Sequence, residues 1–575
     1  MTDPQLVLTE RVQSALAAAF GAEFADADPL IRPSQFADYQ ANVALSLAKR
    51  LRRQPREVAQ SIADHLTDFP GTVEVSGPGF LNITLDDAWI AEQANRVFKD
   101  PRLGVGVNTP PQTVVIDYSA PNAAKEMHVG HLRTTIVGDA LARIHEHLGN
   151  RVIRQNHLGD WGTPFGMLIE HLLDVGEDSA VARLEAGESS AFYQEARAKF
   201  DSDEDFKRRA RERVTTLQSG DAETMRLWHV FMDATIRYFN KVYAILGVTL
   251  TDDDIAGESM YNPMLAKTCD ELEAAGIAVV SEGALCVFPP GFTGTDGKPL
   301  PLIIRKSDGG YGYATTDLAA IHYRVHDLKA DRILYVVGAD QALHFQMVFA
   351  TARMAGWLPE TVSAEHVKIG MMLGSDGRRF RTRSGESVKL TDLLDEAIER
   401  ASAAIAEREP DEEARAEIAQ AVGIGAVKYA DLAVSHDSEY IFDFDRMLAF
   451  TGNTAPYLQY ATARVRSIFR TGGVDAASVT GPIILSEPAE RALALQLLGL
   501  GTVVERVARD SEPHRLCAFL FDTATAFTTF YENCPVLKSD VPEETRASRL
   551  ALCALTLKTL ETGLDLLGIP HPERM

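Results

Sequence analysis

The chain has 575 residues and a net charge of −24, with 81 acidic against 57 basic side chains, so about three domains are expected and indiscriminate nucleic-acid binding is disfavoured. No apolar run approaches the roughly 18 residues of a membrane span, and Met1-Thr2-Asp3-Pro4 lacks the basic and apolar regions of a secretory signal. A cytoplasmic protein with no membrane partner is expected.

Residues 1–108 read as a separate α/β unit. Leu6, Val12, Leu16 and Phe20 recur at helical spacing, and 41–51 and 58–66 carry two further helical patterns. Segments 72–75, 77–79 and 80–85 then read as strand, turn and alternating strand. The basic run Lys49-Arg50-Leu51-Arg52-Arg53-Gln54-Pro55-Arg56 fits either a solvated helix end or an RNA contact.

Pro110-Pro111 marks the linker into a second unit, 109–395. Thr113-Val114-Val115-Ile116-Asp117-Tyr118 has the β-branched, apolar character of a strand covered on both faces of a parallel sheet. Val137, Leu141, Ile144 and Leu148 then recur at helical spacing, Gly149 can end that helix, and 151–156 reads as the next strand. Together these form a βαβ unit.

On its strand-to-helix turn stands Ser119-Ala120-Pro121-Asn122-Ala123-Ala124-Lys125-Glu126-Met127-His128-Val129-Gly130-His131-Leu132-Arg133. Two histidines flank a glycine where free backbone amides and a helix dipole can meet an anion. His128 and His131 can donate to phosphate oxygens and offset charge developing on an α-phosphate. Gly130, without a Cβ, lets a flat adenine or ribose lie against the backbone. Lys125 supplies a point charge for the outer phosphates. The alternative is a loop with two solvated histidines.

This turn resembles the first signature of class I aminoacyl-tRNA synthetases, and its S-x-P-N-x-A-K-x-M-H-V-G-H-L-R form resembles the arginyl-tRNA synthetases in particular. The resemblance implies an α/β fold: a class I Rossmann-like doubly wound parallel sheet with helical insertions, an N-terminal α/β added domain and a C-terminal all-α anticodon-binding domain. In the first unit, G-P-G-F-L-N resembles the part of that added domain that meets the tRNA elbow. It implies RNA contacts by Phe80 and Asn82, which core packing and a strand edge would explain equally.

A helical insertion, about 170–300, is rich in charge at 201–213 and carries a helix around 228–246. The second half of the sheet is expected to return at 302–305, with a tight turn at Asp308-Gly309-Gly310 and a further strand at 332–338. A guanidinium is a planar fork of donors, so a pocket that selects it wants carboxylates in fixed geometry. Asp317 fits that role at a strand's carboxyl end, and fits a helix N-cap equally well. The family phrase Y-A-T-T-D-L-A-A-I implies that Asp317 and Tyr313 hold arginine. The same transfer gives Gln341 to the substrate, Glu258 as a second acidic partner, and Asn122 to its amino or carboxylate end. His344 and Gln346 are expected near ATP, with helix packing the alternative for at least one of them.

Class I enzymes usually carry a second signature, K-M-S-K-S. Here the matching place reads Phe380-Arg381-Thr382-Arg383-Ser384-Gly385, a degenerate form found among arginyl enzymes. Arg383 stands for the second lysine and Ser384 for the closing serine, so both join His128, Gly130, His131 and Lys125 as expected ATP-binding residues. Lys125 is expected to supply part of the charge the missing lysine would give. The flanking glycines Gly374, Gly377 and Gly385 suit either a gate or a solvated hairpin.

From about 396 to 575 the pattern turns helical. Gly452-Asn453-Thr454-Ala455-Pro456-Tyr457-Leu458-Gln459-Tyr460-Ala461 resembles the opening of the family's anticodon domain, and Pro572-Glu573-Arg574-Met575 its ending. Tyr457, Gln459 and Met575 are the implied tRNA contacts, since an aromatic face and an amide can read unpaired bases. A core position between helices is the alternative for Tyr457. The five cysteines form no C-x-x-C pair, so neither protein-bound zinc nor any other metal site is expected.

The resemblance thus implies ATP-dependent ligation of L-arginine to tRNA(Arg) through an arginyl-adenylate, with Mg2+ accompanying ATP and activation waiting for bound tRNA. A monomer is expected. The rivals are a small-substrate nucleotidyltransferase sharing the H-x-G-H turn, and a catalytically silent paralogue that binds RNA.

Overall fold

The structure is a computed structural model that describes residues 3–575 except 68, 124, 186–187, 375, 379, 381–387 and 408. Its strands are, in chain order, β1 (Ile31–Pro33), β2 (Tyr39–Ala41), β3 (Gly71–Ser76), β4 (Phe80–Leu85), β5 (Thr113–Asp117), β6 (Arg151–Gln155), β7 (Ala278–Ser281), β8 (Ala284–Val287), β9 (Leu302–Arg305), β10 (Arg332–Gly338), β11 (Ser363–Ile369), β12 (Met372–Leu373) and β13 (Tyr440–Ile441). The first four make an antiparallel sheet in the order β1-β2-β4-β3.

The central sheet is β11-β10-β5-β6, parallel throughout. Its side chains alternate between two cores because successive strand residues face opposite ways. Val114, Ile116, Leu334 and Val336 face the helix Gly130–His147, whereas Val115, Ile333 and Tyr335 face the helices Tyr313–His326 and Ala342–Met354. The order in which the chain adds strands reverses between β5 and β10, with β6 laid down on one side and β10 and β11 on the other. A crevice therefore opens there at the strands' carboxyl ends, where doubly wound sheets bind ligands.

The expected return of the sheet at 302–305 is corrected. Those residues are β9, which pairs antiparallel with β8 in a separate three-stranded sheet of the insertion. An apolar four-residue run cannot by itself tell which sheet receives it. The charged stretch of the insertion is an ion-paired helix, in which Arg209 and Arg213 clamp the buried Glu170 at 2.6 and 2.7 Å.

Two arginines, one partly exposed and one buried, tie the units together. Arg491 of the C-terminal helices reaches Asp38 at 2.7 Å and Asp87 at 2.5 Å in the first unit. Arg133, the last residue of the signature, donates to Asp431 at 2.8 Å and to the carbonyls of Gly370 and Ser438, with both charged side chains fully enclosed. The five cysteines are all buried and unpaired.

Candidate active site

β5 ends at Asp117, and the chain turns away at once. Ser119 and Ala120 take φ of 69° and 46°, left-handed conformations that cost non-glycine residues about 1–2 kcal/mol each. Neighbours hold them there. Ser119 Oγ lies 2.8 Å from the Tyr243 hydroxyl and accepts from Thr135 Oγ1, while Asn156 Oδ1 accepts the Ala120 amide. Tyr243 belongs to the helix Ala222–Leu246, so the insertion braces the turn. Further on, Asn122 lies against Gly159, where any Cβ would come within 2.4 Å of Asn122 Oδ1. Only glycine there leaves Asn122 in place.

The two signature histidines stack, with ring centroids 4.0 Å apart. His131 Nδ1 accepts the His128 amide at 3.1 Å, and His128 Nδ1 accepts the Gly130 amide at 3.1 Å. Each neutral ring therefore carries its proton on Nε2. Burial, with His128 and Lys125 adding, pulls His131 down to about 3; burial and then Lys125 lower His128. Both are neutral Nε2–H donors at pH 7.

This corrects one expectation. The amides of 128–132 are not free for an anion: Val129 donates to Val388, His131 to His128 and Leu132 to Val129, so the imidazoles are the donors the turn leaves over. A Cβ at Gly130 would stand 2.8 Å from His128 Cε1, so the glycine also leaves that ring its place. Lys125 holds its ammonium 4.1 Å above the ring of Tyr193, a cation–π contact from the helix Ser189–Ser202 that was not foreseen.

Arg383 and Ser384 lie outside the described residues. The segment just after them is joined to the first signature: the Leu390 amide donates to Met127, and Lys389 pairs with Glu126 at 2.9 Å.

Across the crevice, the helix Tyr313–His326 starts with Gly312 as its cap, so Asp317 lies in the second turn and is not an N-cap. Its Oδ2 is 2.5 Å from His344 Nε2, which gives His344 an acidic neighbour. Tyr313 is 76% exposed at the mouth, and Gln341 and Gln346 are also exposed. Glu258 opens the helix Glu258–Ala274, whose first turn is held from outside by Asp160, accepting the Ser259 amide at 2.8 Å and hydroxyl at 2.6 Å. Burial, then Asp160 and Asp317, push Glu258 up to about 8. Three acidic side chains thus lie close enough on one side of the crevice for Asp160 and Asp317 to hold the Glu258 proton. Behind them the buried Arg324 of the same helix as Asp317 donates to Asp117 at 2.7 Å and Gln155 at 2.6 Å, fixing that helix to the ends of β5 and β6.

Two surfaces lie away from the crevice. On the open face of the first sheet, Asn82 accepts from Gln40 at 2.8 Å and donates to Ser76, with Phe80 half-exposed on the same strand face. In the C-terminal helices, Gln459 is corrected: it is fully buried and its amide donates to Ala421 and Pro570 carbonyls, so it cannot reach a base. Tyr457 is half-buried against Phe521, at 5.6 Å. The next residue, Tyr460, opens to a groove instead. Tyr460, Arg464, Arg470, Tyr531, Lys538 and Met575 line a groove of about 880 Å³, with the Arg464 guanidinium over both tyrosine rings at 5.1 and 5.2 Å.

A parallel sheet with an imidazole pair on the turn at its switch point fits the catalytic domain of a class I aminoacyl-tRNA synthetase, and the family comparison shows that class. The family model for tRNA synthetases class I (R), catalytic domain, matches residues 97–444; those for the DALR anticodon binding domain and the arginyl tRNA synthetase N terminal domain match 458–575 and 6–85. The chain belongs to the arginyl-tRNA synthetases, the arginine–tRNA ligases. It is 66% identical to arginine–tRNA ligase of Thermobifida fusca over the whole of both chains, and 52% identical to that of Frankia casuarinae over 99% of each. Among solved structures, arginyl-tRNA synthetase of Plasmodium falciparum superposes with a TM-score of 0.85 at 27% identity over 99% of each chain. That of Thermus thermophilus gives 0.81 at 26% over all of both.

Proposed function

We propose that this chain joins L-arginine to tRNA(Arg) in two steps, as a cytoplasmic monomer, and that the crevice divides the labour by charge. The arginine carboxylate attacks the α-phosphate of ATP, the bond to the β-phosphate breaks, and pyrophosphate leaves. A terminal ribose hydroxyl of tRNA then takes the arginyl group and AMP leaves. No protein nucleophile is needed, so the chain's part is positioning and electrostatic stabilisation.

On the β5 side, the Nε2–H groups of His128 and His131 donate to phosphate oxygens, and Lys125 moves from Tyr193 to the outer phosphates, joined by Arg383 and Ser384. On the other side Glu258, Asp317, Tyr313 and Gln341 take the guanidinium, and Asn122 takes the amino or carboxylate end. Mg2+ would arrive on the triphosphate oxygens, completed by water, which suits a turn that offers donors and not a carboxylate cage. Residues 109–395 do this chemistry. Residues 1–108 meet the tRNA elbow through Phe80 and Asn82, and 396–575 meet the anticodon at the Tyr460–Arg464–Tyr531 groove beside Met575, where aromatic faces and arginine suit unpaired bases.

The observation that carries this reading is the convergence of Glu258, Asp317 and Asp160, opposite two neutral imidazole donors at a switch point. It supplies an acidic pocket, ready to lose a proton to an incoming cation, beside a phosphate site. Pyrophosphate exchange with and without tRNA tests the sequence of steps: exchange should require arginine and wait for tRNA, and robust exchange without tRNA would count against that order. A Lys125→Ala enzyme with near-normal activation would remove Lys125 from the triphosphate site.

A further inference from the structure

His344 stands in the first turn of the helix Ala342–Met354, just beyond the end of β10, and Asp317 on the separate helix Tyr313–His326. Their hydrogen bond crosses between two segments that border the arginine pocket. It is short, 2.5 Å from Nε2 to Oδ2, and the two side chains are only 24% and 17% exposed.

The guanidinium imposes a demand here that a rounder cation would not. Its donors form a rigid fork, so the carboxylate that meets it must lie in a set plane. The terminal torsion of an aspartate is broad and two-fold, so an unsupported carboxylate turns between planes. A donor fixed on one oxygen stops that rotation and leaves the other oxygen as an acceptor. An Nε2–H reaching Oδ2 from a different helix does this.

We propose that His344 is a positioning residue for arginine recognition: by donating Nε2–H to Oδ2 of Asp317, it sets the plane in which Oδ1 meets the guanidinium. The inference rests on Asp317 being a guanidinium ligand. It sets His344 apart from a contact with ATP, and it predicts that selection of a planar fork over an ammonium depends on a residue that does not touch the substrate.

The test is steady-state charging of tRNA(Arg) by the full chain, with KM for arginine and for ATP measured separately for His344→Ala, His344→Phe, His344→Gln and Asp317→Asn. Loss of a hydrogen bond to a charged group should raise the arginine KM about tenfold or more in His344→Ala, with the ATP KM changed less than about twofold. His344→Phe, which keeps a ring but no donor, should match it and serves if the alanine enzyme folds poorly. His344→Gln, which keeps an N–H donor, should recover most of the loss. The preference for arginine over lysine in pyrophosphate exchange should fall in His344→Ala and return in His344→Gln. An unchanged arginine KM in His344→Ala and His344→Phe, while Asp317→Asn raises it, would overturn the role of His344 alone. An unchanged arginine KM in Asp317→Asn would overturn the reading of Asp317 beneath it. An ATP KM that rises as far as the arginine KM would make His344 an ATP contact instead.

Discussion

The crevice of the parallel sheet draws its polar groups from the turn that follows β5, from the segment that follows β10 and from the first two turns of the helices Glu258–Ala274 and Tyr313–His326, whereas the C-terminal groove draws its groups from the open faces of long helices. In the crevice, strand register and short turns set each side chain. His128 and His131 are aimed by hydrogen bonds inside their own turn, and Asp317 by His344. In the groove, Tyr460 and Arg464 share one helix face, and Tyr531 comes from another helix. The first arrangement holds donors to the tolerance that chemistry needs. The second offers a stacking surface that any unpaired base can use, with position set by helix packing.

The largest expected effect breaks the bolt between these regions. Arg133→Met leaves Asp431 charged and enclosed without its partner, which should cost about 3–5 kcal/mol of stability in denaturant unfolding. Removing both charges with apolar residues should restore much of it; a double variant as unstable as the single one would show that the pair is not the cause. Within the crevice, His131→Ala should slow adenylate formation about 10²–10³-fold, the loss typical of one preorganised donor, with little change in tRNA KM.

In the groove the split should reverse. Tyr460→Ala or Tyr531→Ala should cost about 1–3 kcal/mol of tRNA binding, the range for one stacked base, and leave the arginine and ATP KM values in place. Gln459→Ala is expected to lower stability and leave tRNA KM alone, because its amide serves Ala421 and Pro570.

The smallest effect is protonic. Glu258, held at about 8 by burial, Asp160 and Asp317, is mostly protonated at pH 7 in the free enzyme. A guanidinium favours its charged form, so arginine binding should release close to one proton, and affinity should rise up to about tenfold per pH unit until pH 8. The sign for folding is opposite: between the ordinary carboxylate range and pH 8 the folded chain holds the extra proton, so this group's contribution to stability falls as pH rises. Calorimetry in buffers of different ionisation enthalpy reads the proton count, and zero release at pH 7 would place Glu258 away from the guanidinium.

The catalytic turn was legible because its residues are contiguous: strand, signature and helix follow one another within 113–148, and the β-branched run and helical spacing mark both ends. The consumption of the turn's amides was not, since whether an N–H is free depends on the imidazole orientations and on Val388, far along the chain. The partnership of His344 with Asp317 was hidden for the same reason, as it joins two helices through a fold-level contact. Residues 302–305 had the composition of a buried strand but no mark of which sheet would receive it. At Gln459 the helical spacing was right and the face was wrong by one residue, because a polar side chain reads as exposed while this one is buried to serve the Ala421 and Pro570 carbonyls. Tyr460 next to it is the open position.

The most direct measurement is charging of purified tRNA(Arg) with labelled arginine, ATP and Mg2+, beside parallel reactions with the other amino acids. Arginine alone should enter the RNA fraction, at a rate that His131→Ala and Asp317→Asn both depress, the first through kcat and the second through the arginine KM. Incorporation of a different amino acid, or arginine charging that survives both substitutions unchanged, would contradict the assignment of this crevice.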